Sequence, residues 1–180
     1  MKHIPDKELL AVAKQIKLLI LDVDGVLTDG GIILDNSGNE FKSFHVRDGH
    51  GIKMLLRAGI QVALITGRYS KVVERRAHEL GIKEIVQKCH DKKVAYRQIA
   101  EKYSLGDNAI AYVGDDIVDI PVLKRCGLPL AVADADEEVI ASVRMITRKG
   151  GGKGAVREVC DLLLKAKGLW KAIIDGYSKA

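Results

Sequence analysis

Short apolar runs alternate with amphipathic stretches along the whole chain. The apolar runs predict buried strands at 16–21, 60–65, 84–86, 109–113, 128–132 and 144–147. Between them, apolar residues with caps at either end predict helices at 6–15, 51–58, 70–80, 91–103, 118–126, 137–141 and 155–167. Such alternation predicts a single α/β domain over 1–180, with a parallel, doubly wound sheet and right-handed crossovers.

Two segments depart from this alternation. Apolar residues at 32–34 and 40–44 flank the turn-forming run Asp35-Asn36-Ser37-Gly38-Asn39, which predicts a β-hairpin over 30–45, inserted after the first strand. The glycine run Gly150-Gly151-Gly152-Lys153-Gly154 is the only flexible-looking segment. It opens a region of tail and helix that we assign to 148–180.

Composition narrows the class of protein. The chain has 180 residues, of which 47% are hydrophobic and 29% charged, as expected of one globular domain. No apolar run approaches the roughly 20 residues of a membrane span, and the first residues lack the apolar core of a signal peptide. We therefore expect a cytoplasmic protein without a membrane partner.

The charge and the cysteines exclude further classes. The net charge of +5 comes without a dense Lys/Arg run, so we expect no nucleic-acid partner, and it suits a small anionic substrate. Cys89, Cys126 and Cys160 are widely spaced and odd in number, which favours buried thiols over a disulfide or a zinc site.

Polar side chains that can do chemistry follow three of the predicted strands. They are Asp22 and Asp24, then Thr66, then Asp115 and Asp116. Asp119 comes one helical turn later, and Lys92 begins a predicted helix. Because the carboxyl ends of parallel strands share one edge of the sheet, these groups should converge there. Phosphoryl transfer through an aspartyl-phosphate requires such a set of groups: carboxylates for a divalent metal, a carboxylate nucleophile, a hydroxyl and an ammonium.

These residues form four motifs that resemble the haloacid dehalogenase superfamily of phosphotransferases. The motifs are Asp22-Val23-Asp24-Gly25, Thr66-Gly67-Arg68, Lys92, and Gly114-Asp115-Asp116-Ile117-Val118-Asp119. Two more stretches are similar to the sugar-acid phosphatases of that superfamily: Val46-Arg47-Asp48-Gly49-His50-Gly51-Ile52, and the segment 151–161. The likeness runs from Ile16 to about Leu164. It implies a Rossmann-like core and a phosphoric monoester hydrolase.

The resemblance also implies a role for each site residue. Asp22 would be the nucleophile, and Asp24 the acid and base. Mg²⁺ would be held by the Asp22 carboxylate, the Asp24 backbone carbonyl and Asp115. Thr66 and Lys92 would bind phosphoryl oxygens, with Lys93 as an alternative to Lys92. Asp116 and Asp119 would orient waters or Lys92, although Asp119 could instead face solvent.

The implied substrate is 3-deoxy-D-manno-octulosonate 8-phosphate, hydrolysed during synthesis of the lipopolysaccharide inner-core sugar. A nine-carbon sugar-acid 9-phosphate is the alternative substrate. Arg47 is the expected partner of the sugar acid, and Arg68 is favoured for substrate contact over a role as surface charge. The residues expected to bind substrate are Asp24, His45, Val46, Arg47, Asp48, Gly49, Lys53, Arg68, Arg76 and Lys92.

No gap between the motifs is long enough for a cap domain, so the site needs another cover. The resemblance implies a homotetramer, with the hairpins forming a central barrel and each tail covering a neighbouring site. In that arrangement the glycine run would bend the tail, and Lys153 or Arg157 would bring positive charge to the substrate. A non-catalytic assembly domain, and a binding or response-type domain with an acidic Mg²⁺ pocket, are the alternatives from other classes.

Overall fold

The computed structural model describes residues 6–178 and contains eight strands. They are β1 (Leu18–Leu21), β2 (Ile33–Leu34), β3 (Glu40–Phe41), β4 (Gln61–Ile65), β5 (Glu84–Val86), β6 (Ile110–Gly114), β7 (Leu128–Ala131) and β8 (Met145–Ile146). Six of them form a parallel sheet in the order β5-β4-β1-β6-β7-β8. The antiparallel pair β2–β3 is the predicted hairpin, with shorter strands than the sequence suggested.

Eight α-helices connect and flank the strands. They are α1 (Lys7–Gln15), α2 (Val46–Arg57), α3 (Lys71–Leu80), α4 (Lys92–Lys102), α5 (Ile120–Leu123), α6 (Glu137–Ala141), α7 (Ala155–Ala166) and α8 (Trp170–Ser178). Predicted caps are in place: the side chains of Ser70 and Asp91 accept backbone N–H groups at the starts of α3 and α4. Gly81 ends α3 in the left-handed conformation, at φ 84°.

The sheet is covered on both faces. Leu19 and Leu21 of β1 pack with α1, α2, α3 and α7, whereas Leu18 and Ile20 pack with α4, α5 and α6. All four residues are fully buried, as expected for a central strand. Burial of each such side chain stabilises the fold by about 1.5–3 kcal/mol. The prediction of a doubly wound parallel sheet is confirmed.

Helix α2 begins five residues earlier than predicted, because two glycines obscured its start. A Cβ on Gly49 would lie 2.4 Å from Arg76 Nη2 on α3, and one on Gly51 would lie 3.0 Å from Cys160 Cβ on α7. Both glycines therefore let α2 pack closely against its neighbours, which offsets their low helix propensity. As a result, the Val46-Arg47-Asp48-Gly49 motif forms the first turn of a helix.

The predicted helix over 118–126 is also wrong in form. It is a 3₁₀ turn over Ile117–Asp119 followed by the short α5, with Pro121 near the start of α5. Asp116 and Asp119 form a reciprocal cap at the 3₁₀ turn, which fixes that start.

Helix α8 was not predicted from the sequence. Trp170 and Ile173 pack against the core, but no residue of this helix is fully buried. Among the described helices, none has the length and apolar character that a membrane-spanning segment requires.

The glycine-rich segment is packed against its own chain, and its expected contact with a neighbouring subunit stays a prediction. Gly151 N donates to Asp134 Oδ1 at 2.8 Å, and Gly152 N donates to Val26 O at 3.1 Å. Helix α7 then enters the core with seven buried residues, so it belongs to the domain rather than to a mobile tail. A truncation after Thr147 would remove part of the core.

We expect Gly151→Ala to lower the free energy of unfolding by about 1–3 kcal/mol, as overpacking does. A Cβ at this position would lie 1.7 Å from the carbonyl oxygen of Gly25 and 2.8 Å from that of Thr28. Urea unfolding checks this, with Gly176→Ala on α8 as the comparison, because a Cβ there would meet no atom outside its own helix backbone within 4 Å and alanine is the better helix former. Equal stability of the two variants would show that the segment moves aside freely.

Candidate active site

The predicted site residues meet at the carboxyl edge of the sheet, in a cleft of about 280 Å³. Strands β1, β4 and β6 are neighbours, so the residues that follow them are brought together as expected. The cleft is lined by Asp22, Asp24, Thr66, Gly67, Arg68, Cys89, His90, Lys92, Asp115, Asp116 and Val118. Cys89 and His90 were not predicted to lie there, since they belong to no motif, and Val118 belongs to the fourth motif without having been given a role.

A tight turn follows β1 and sets the positions of the first two carboxylates. The N–H groups of Val26, Leu27 and Thr28 all point to the carbonyl of Val23, and the Thr28 hydroxyl accepts from Gly25 N and Gly30 N. Gly25 has φ 88°, and a Cβ on it would lie 1.9 Å from Asp115 Oδ2. Glycine is therefore required there, and the turn packs directly against the Asp115 carboxylate.

Lys92 is buried between two carboxylates at the floor of the cleft. Its Nζ lies 3.1 Å from Asp22 Oδ2 and 2.7 Å from Asp119 Oδ1. Burial opposes the charge on Lys92, but Asp22 and Asp119 together raise its pKa above the ordinary value, so the ammonium persists. The neighbouring Lys93 is exposed, which leaves Lys92 as the cation of the site.

Asp119 is fully buried and does not face solvent. Its Oδ1 accepts from Lys92 Nζ and from the Tyr112 hydroxyl, and its Oδ2 accepts from the backbone N–H groups of Asp115 and Asp116. Both oxygens are thus occupied by protein donors. Asp119 can orient Lys92 and the Asp115 loop but has little capacity left for another ligand.

Asp22 and Asp115 remain as the carboxylates that could hold a cation. Oxygens of Asp22, Asp115 and Asp119 all lie within 4.8 Å of one another, and Asp115 Oδ1 is buried without a hydrogen-bond partner among the described residues. Burial raises the pKa of Asp22 to about 6, although the charge of Lys92 opposes the rise. Burial and the charge of Asp22 together raise the pKa of Asp115 to about 8. Crowded, unpaired carboxylate oxygens fit Mg²⁺, which prefers oxygen ligands.

The side of the cleft facing the hairpin is closed by a network that the sequence did not reveal. Lys42 Nζ donates to Asp24 Oδ1 and lies 3.5 Å from Glu40 Oε1. Arg68 Nη2 lies 3.1 Å from the same Glu40 oxygen, and Arg68 Nε lies 3.8 Å from Asp24 Oδ2. Glu40 and Lys42 belong to no motif, and their positions on an apparently exposed hairpin gave no signal of this contact.

The structure separates the residues expected to bind substrate into three groups. Asp24, Arg68 and Lys92 line the cleft. His45, Asp48, Gly49 and Arg76 line a second, much smaller pocket beside Phe44. Val46, Arg47 and Lys53 are exposed on α2. Only the first group borders the carboxylates within a single chain, because α2 begins at Val46 and turns the motif away from them.

Asp48 has a structural contact within its own chain, made through one of its two carboxylate oxygens. It is buried, and its Oδ1 accepts from the backbone N of Arg157, in the first turn of α7, at 2.7 Å. This bond satisfies one of the free donors at the start of that helix. Burial raises the pKa of Asp48 above its ordinary value.

Comparison with known proteins agrees with this geometry. A family model described as haloacid dehalogenase-like hydrolase matches residues 81–158. The 3-deoxy-D-manno-octulosonate 8-phosphate phosphatase of Escherichia coli K12 is 50% identical over 161 residues, which is 89% of this chain and 86% of the relative. That of Salmonella typhi is 51% identical over 156 residues, or 87% and 83% of the two chains.

Solved structures of such phosphatases are similar over nearly the whole chain. The Yersinia pestis enzyme has a TM-score of 0.91 at 45% identity and covers 92% of this chain and 89% of its own. The Moraxella catarrhalis enzyme, in complex with magnesium ion, phosphate ion and KDO, has a TM-score of 0.94 at 43% identity, with 96% and 99% covered. The chain therefore belongs to the haloacid dehalogenase-like hydrolases and groups with their 3-deoxy-D-manno-octulosonate 8-phosphate phosphatases.

We expect the metal-free protein to lose stability as the pH rises between 3.8 and about 8, the ordinary and folded pKa values of Asp115. In this range the folded protein keeps a proton on Asp115 that the unfolded chain has released, so raising the pH favours unfolding. In chelator at pH 8, Asp115→Asn should therefore have a higher Tm than wild type, and the difference should close toward pH 4.

Thermal unfolding with and without Mg²⁺ checks this expectation. Added Mg²⁺ should raise the Tm of wild type at pH 8 and leave Asp115→Asn nearly unchanged. Asp175→Asn, on exposed α8, serves as the control because no cluster surrounds it. If the Tm of wild type and the Tm of Asp115→Asn changed with pH in parallel, the assignment of a raised pKa to Asp115 would be wrong.

Proposed function

We propose that this chain is a magnesium-dependent phosphatase that converts 3-deoxy-D-manno-octulosonate 8-phosphate to 3-deoxy-D-manno-octulosonate and phosphate. The observation that carries the proposal is the meeting of Asp22, Asp24, Thr66, Lys92 and Asp115 in one cleft, in a chain half identical to phosphatases of this substrate. The reaction would supply the inner-core sugar of lipopolysaccharide, and the highly charged substrate argues for a cytoplasmic location.

In the first step, Asp22 acts as the nucleophile. One of its oxygens attacks phosphorus, the bond between phosphorus and the C8 oxygen of the sugar breaks, and Asp24 gives its proton to that leaving oxygen. Lys92, already 3.1 Å from Asp22, neutralises charge on the phosphoryl oxygens, and the buried Thr66 offers a hydroxyl donor beside it. The products are an aspartyl-phosphate and the free sugar acid.

In the second step, Asp24 takes a proton from water, which attacks phosphorus and releases phosphate from Asp22. Asp22 and Asp115, with the backbone carbonyl of Asp24, would hold the magnesium ion, which neutralises phosphoryl charge when bound. Asp119 keeps Lys92 oriented through both steps, and Asp116 at the cleft wall orients water.

We assign substrate recognition first to Arg68, whose half-exposed side chain borders the cleft. Its planar guanidinium suits a carboxylate or vicinal hydroxyls. The exposed Arg47 and Lys53 do not line the cleft of their own chain, so we propose that they contact the sugar acid in the site of another subunit. Arg76 and His45 would act from the small pocket beside Phe44.

An assembly would also provide the cover that the chain itself lacks. Within residues 6–178 the connection between β1 and β4 contains only the hairpin and α2, and that between β4 and β5 only α3, so neither holds a cap domain. Ile32, Ile33, Leu34 and Phe41 of the hairpin are all more than half exposed. Exposed apolar residues on an isolated two-stranded ribbon favour burial between subunits, and we propose a homotetramer built on the hairpins.

We expect phosphate release from 3-deoxy-D-manno-octulosonate 8-phosphate to exceed that from a nine-carbon sugar-acid 9-phosphate, both measured side by side with Mg²⁺. Asp22→Asn should reduce the rate below about a thousandth of wild type while leaving the fold intact, because an amide is a poor nucleophile. Asp175→Asn is the matched control.

The substrate panel separates the alternatives. A faster reaction with the nine-carbon substrate would move the assignment to that class, and no phosphate release from either would favour a non-catalytic or response-type domain. An Asp22→Asn variant that kept more than about a tenth of the wild-type rate would exclude Asp22 as the nucleophile.

For the assembly, we expect Ile33→Asp to shift the protein from a tetramer to smaller species in analytical ultracentrifugation. A charge placed on the apolar hairpin cannot be buried between subunits without a large desolvation penalty. Val94→Asp, at an exposed apolar position in the first turn of α4, is the control and should leave the mass unchanged. A wild-type protein that sediments as a fully active monomer would refute the proposed assembly.

A further inference from the structure

Lys42 is a buried cation that no motif identifies. Its side chain is only 1% exposed, although it follows directly on the exposed strand β3. Its ammonium contacts Asp24 Oδ1 and lies near Glu40 Oε1, so both of its partners are carboxylates. Burying an ion pair carries a desolvation penalty that its attraction only partly offsets, so stability alone is a weak reason for this arrangement.

The position of Lys42 does not favour direct contact with substrate. It is not among the residues that line the cleft. The Asp24 carboxylate, in contrast, is 23% exposed and borders the cleft. Asp24 is therefore the cleft residue through which Lys42 acts most directly, because the Lys42 ammonium contacts its carboxylate.

The two oxygens of Asp24 are held differently. Oδ1 is fixed by Lys42, whereas Oδ2 lies 3.8 Å from Arg68 Nε, beyond a normal hydrogen bond. A carboxylate on a turn can adopt several rotamers, and pinning one oxygen selects the rotamer that directs the other toward the cleft. Glu40 in turn holds Lys42 and Arg68, which makes the hairpin one wall of this arrangement.

We propose that Lys42 is a positioning residue that orients Asp24 for its proton transfers to the leaving oxygen and from water. This inference rests on the proposed function, since it assumes that Asp24 is the acid and base. It assigns to the hairpin a role within its own subunit, in addition to any role in assembly. A side chain misdirected by about 1 Å is enough to slow such a step strongly.

The test compares Lys42→Met, Lys42→Arg, Asp24→Asn and the Lys42→Met/Asp24→Asn double variant. Two substrates are used: 3-deoxy-D-manno-octulosonate 8-phosphate, whose alkoxide leaving group needs a proton, and 4-nitrophenyl phosphate, whose leaving group does not. Lys83→Met, at an exposed lysine, is the matched control. Circular dichroism and sedimentation verify the fold and assembly of each variant.

We expect Lys42→Met to lower kcat for the sugar-acid phosphate by about tenfold to a hundredfold, with KM within about threefold of wild type. Asp24→Asn should lower kcat by at least as much. Because Lys42 acts through Asp24, the double variant should have a kcat within about twofold of that of Asp24→Asn. With 4-nitrophenyl phosphate, Lys42→Met should form the phospho-enzyme at nearly the wild-type rate and hydrolyse it slowly. Lys42→Arg should recover part of kcat.

The proposal is overturned if the kcat losses of the two single variants multiply in the double variant. It is also overturned if Lys42→Met raises KM and leaves kcat unchanged, which would make Lys42 a substrate ligand. If Lys42→Met does not fold, Lys42→Gln replaces it and should show the same pattern. If wild type fails to hydrolyse the sugar-acid phosphate, the proposed substrate is wrong. The hydrolysis of the phospho-enzyme formed from 4-nitrophenyl phosphate still tests Lys42 in that case.

Discussion

The candidate site depends on one buried ammonium, that of Lys92. Two carboxylates that follow different strands, Asp22 and Asp119, lie 3.1 and 2.7 Å from it, and all three side chains are buried. Without this cation the two buried carboxylates would repel each other and lack solvation, so one of them would have to take up a proton or the two would have to move apart. Asp119 also binds the backbone of Asp115, so the ammonium indirectly fixes the loop after β6 as well. Charge compensation at this one point thus allows three loops to converge.

The sequence predicted the elements whose signals are local. Apolar runs located every strand of the parallel sheet, and capping residues such as Ser70, Asp91 and Gly81 marked helix ends that the structure confirms. The strand-end motifs identified the residues that line the cleft for the same reason: parallel topology converts distance along the chain into proximity at one edge.

What the sequence did not predict depends on tertiary contacts. The start of α2 was missed because Gly49 and Gly51 lower helix propensity while permitting close packing that only the fold reveals. Asp48 was assigned to substrate, yet it binds Arg157 N more than a hundred residues away. Lys42 gave no signal because its partner, Asp24, lies on another element of the chain. Pairings of this kind require the fold before the residues can be interpreted.

The packing of Gly151 and Gly152 against the turn after β1 has a consequence for biosynthesis. That turn is backed by residues that the ribosome adds more than a hundred residues later. A nascent chain therefore exposes Asp22 and Asp24 long before the backbone that supports them has emerged. The turn gains this support only once residues 151 and 152 have been added, and prematurely terminated chains ending before residue 151 leave the catalytic loop without it.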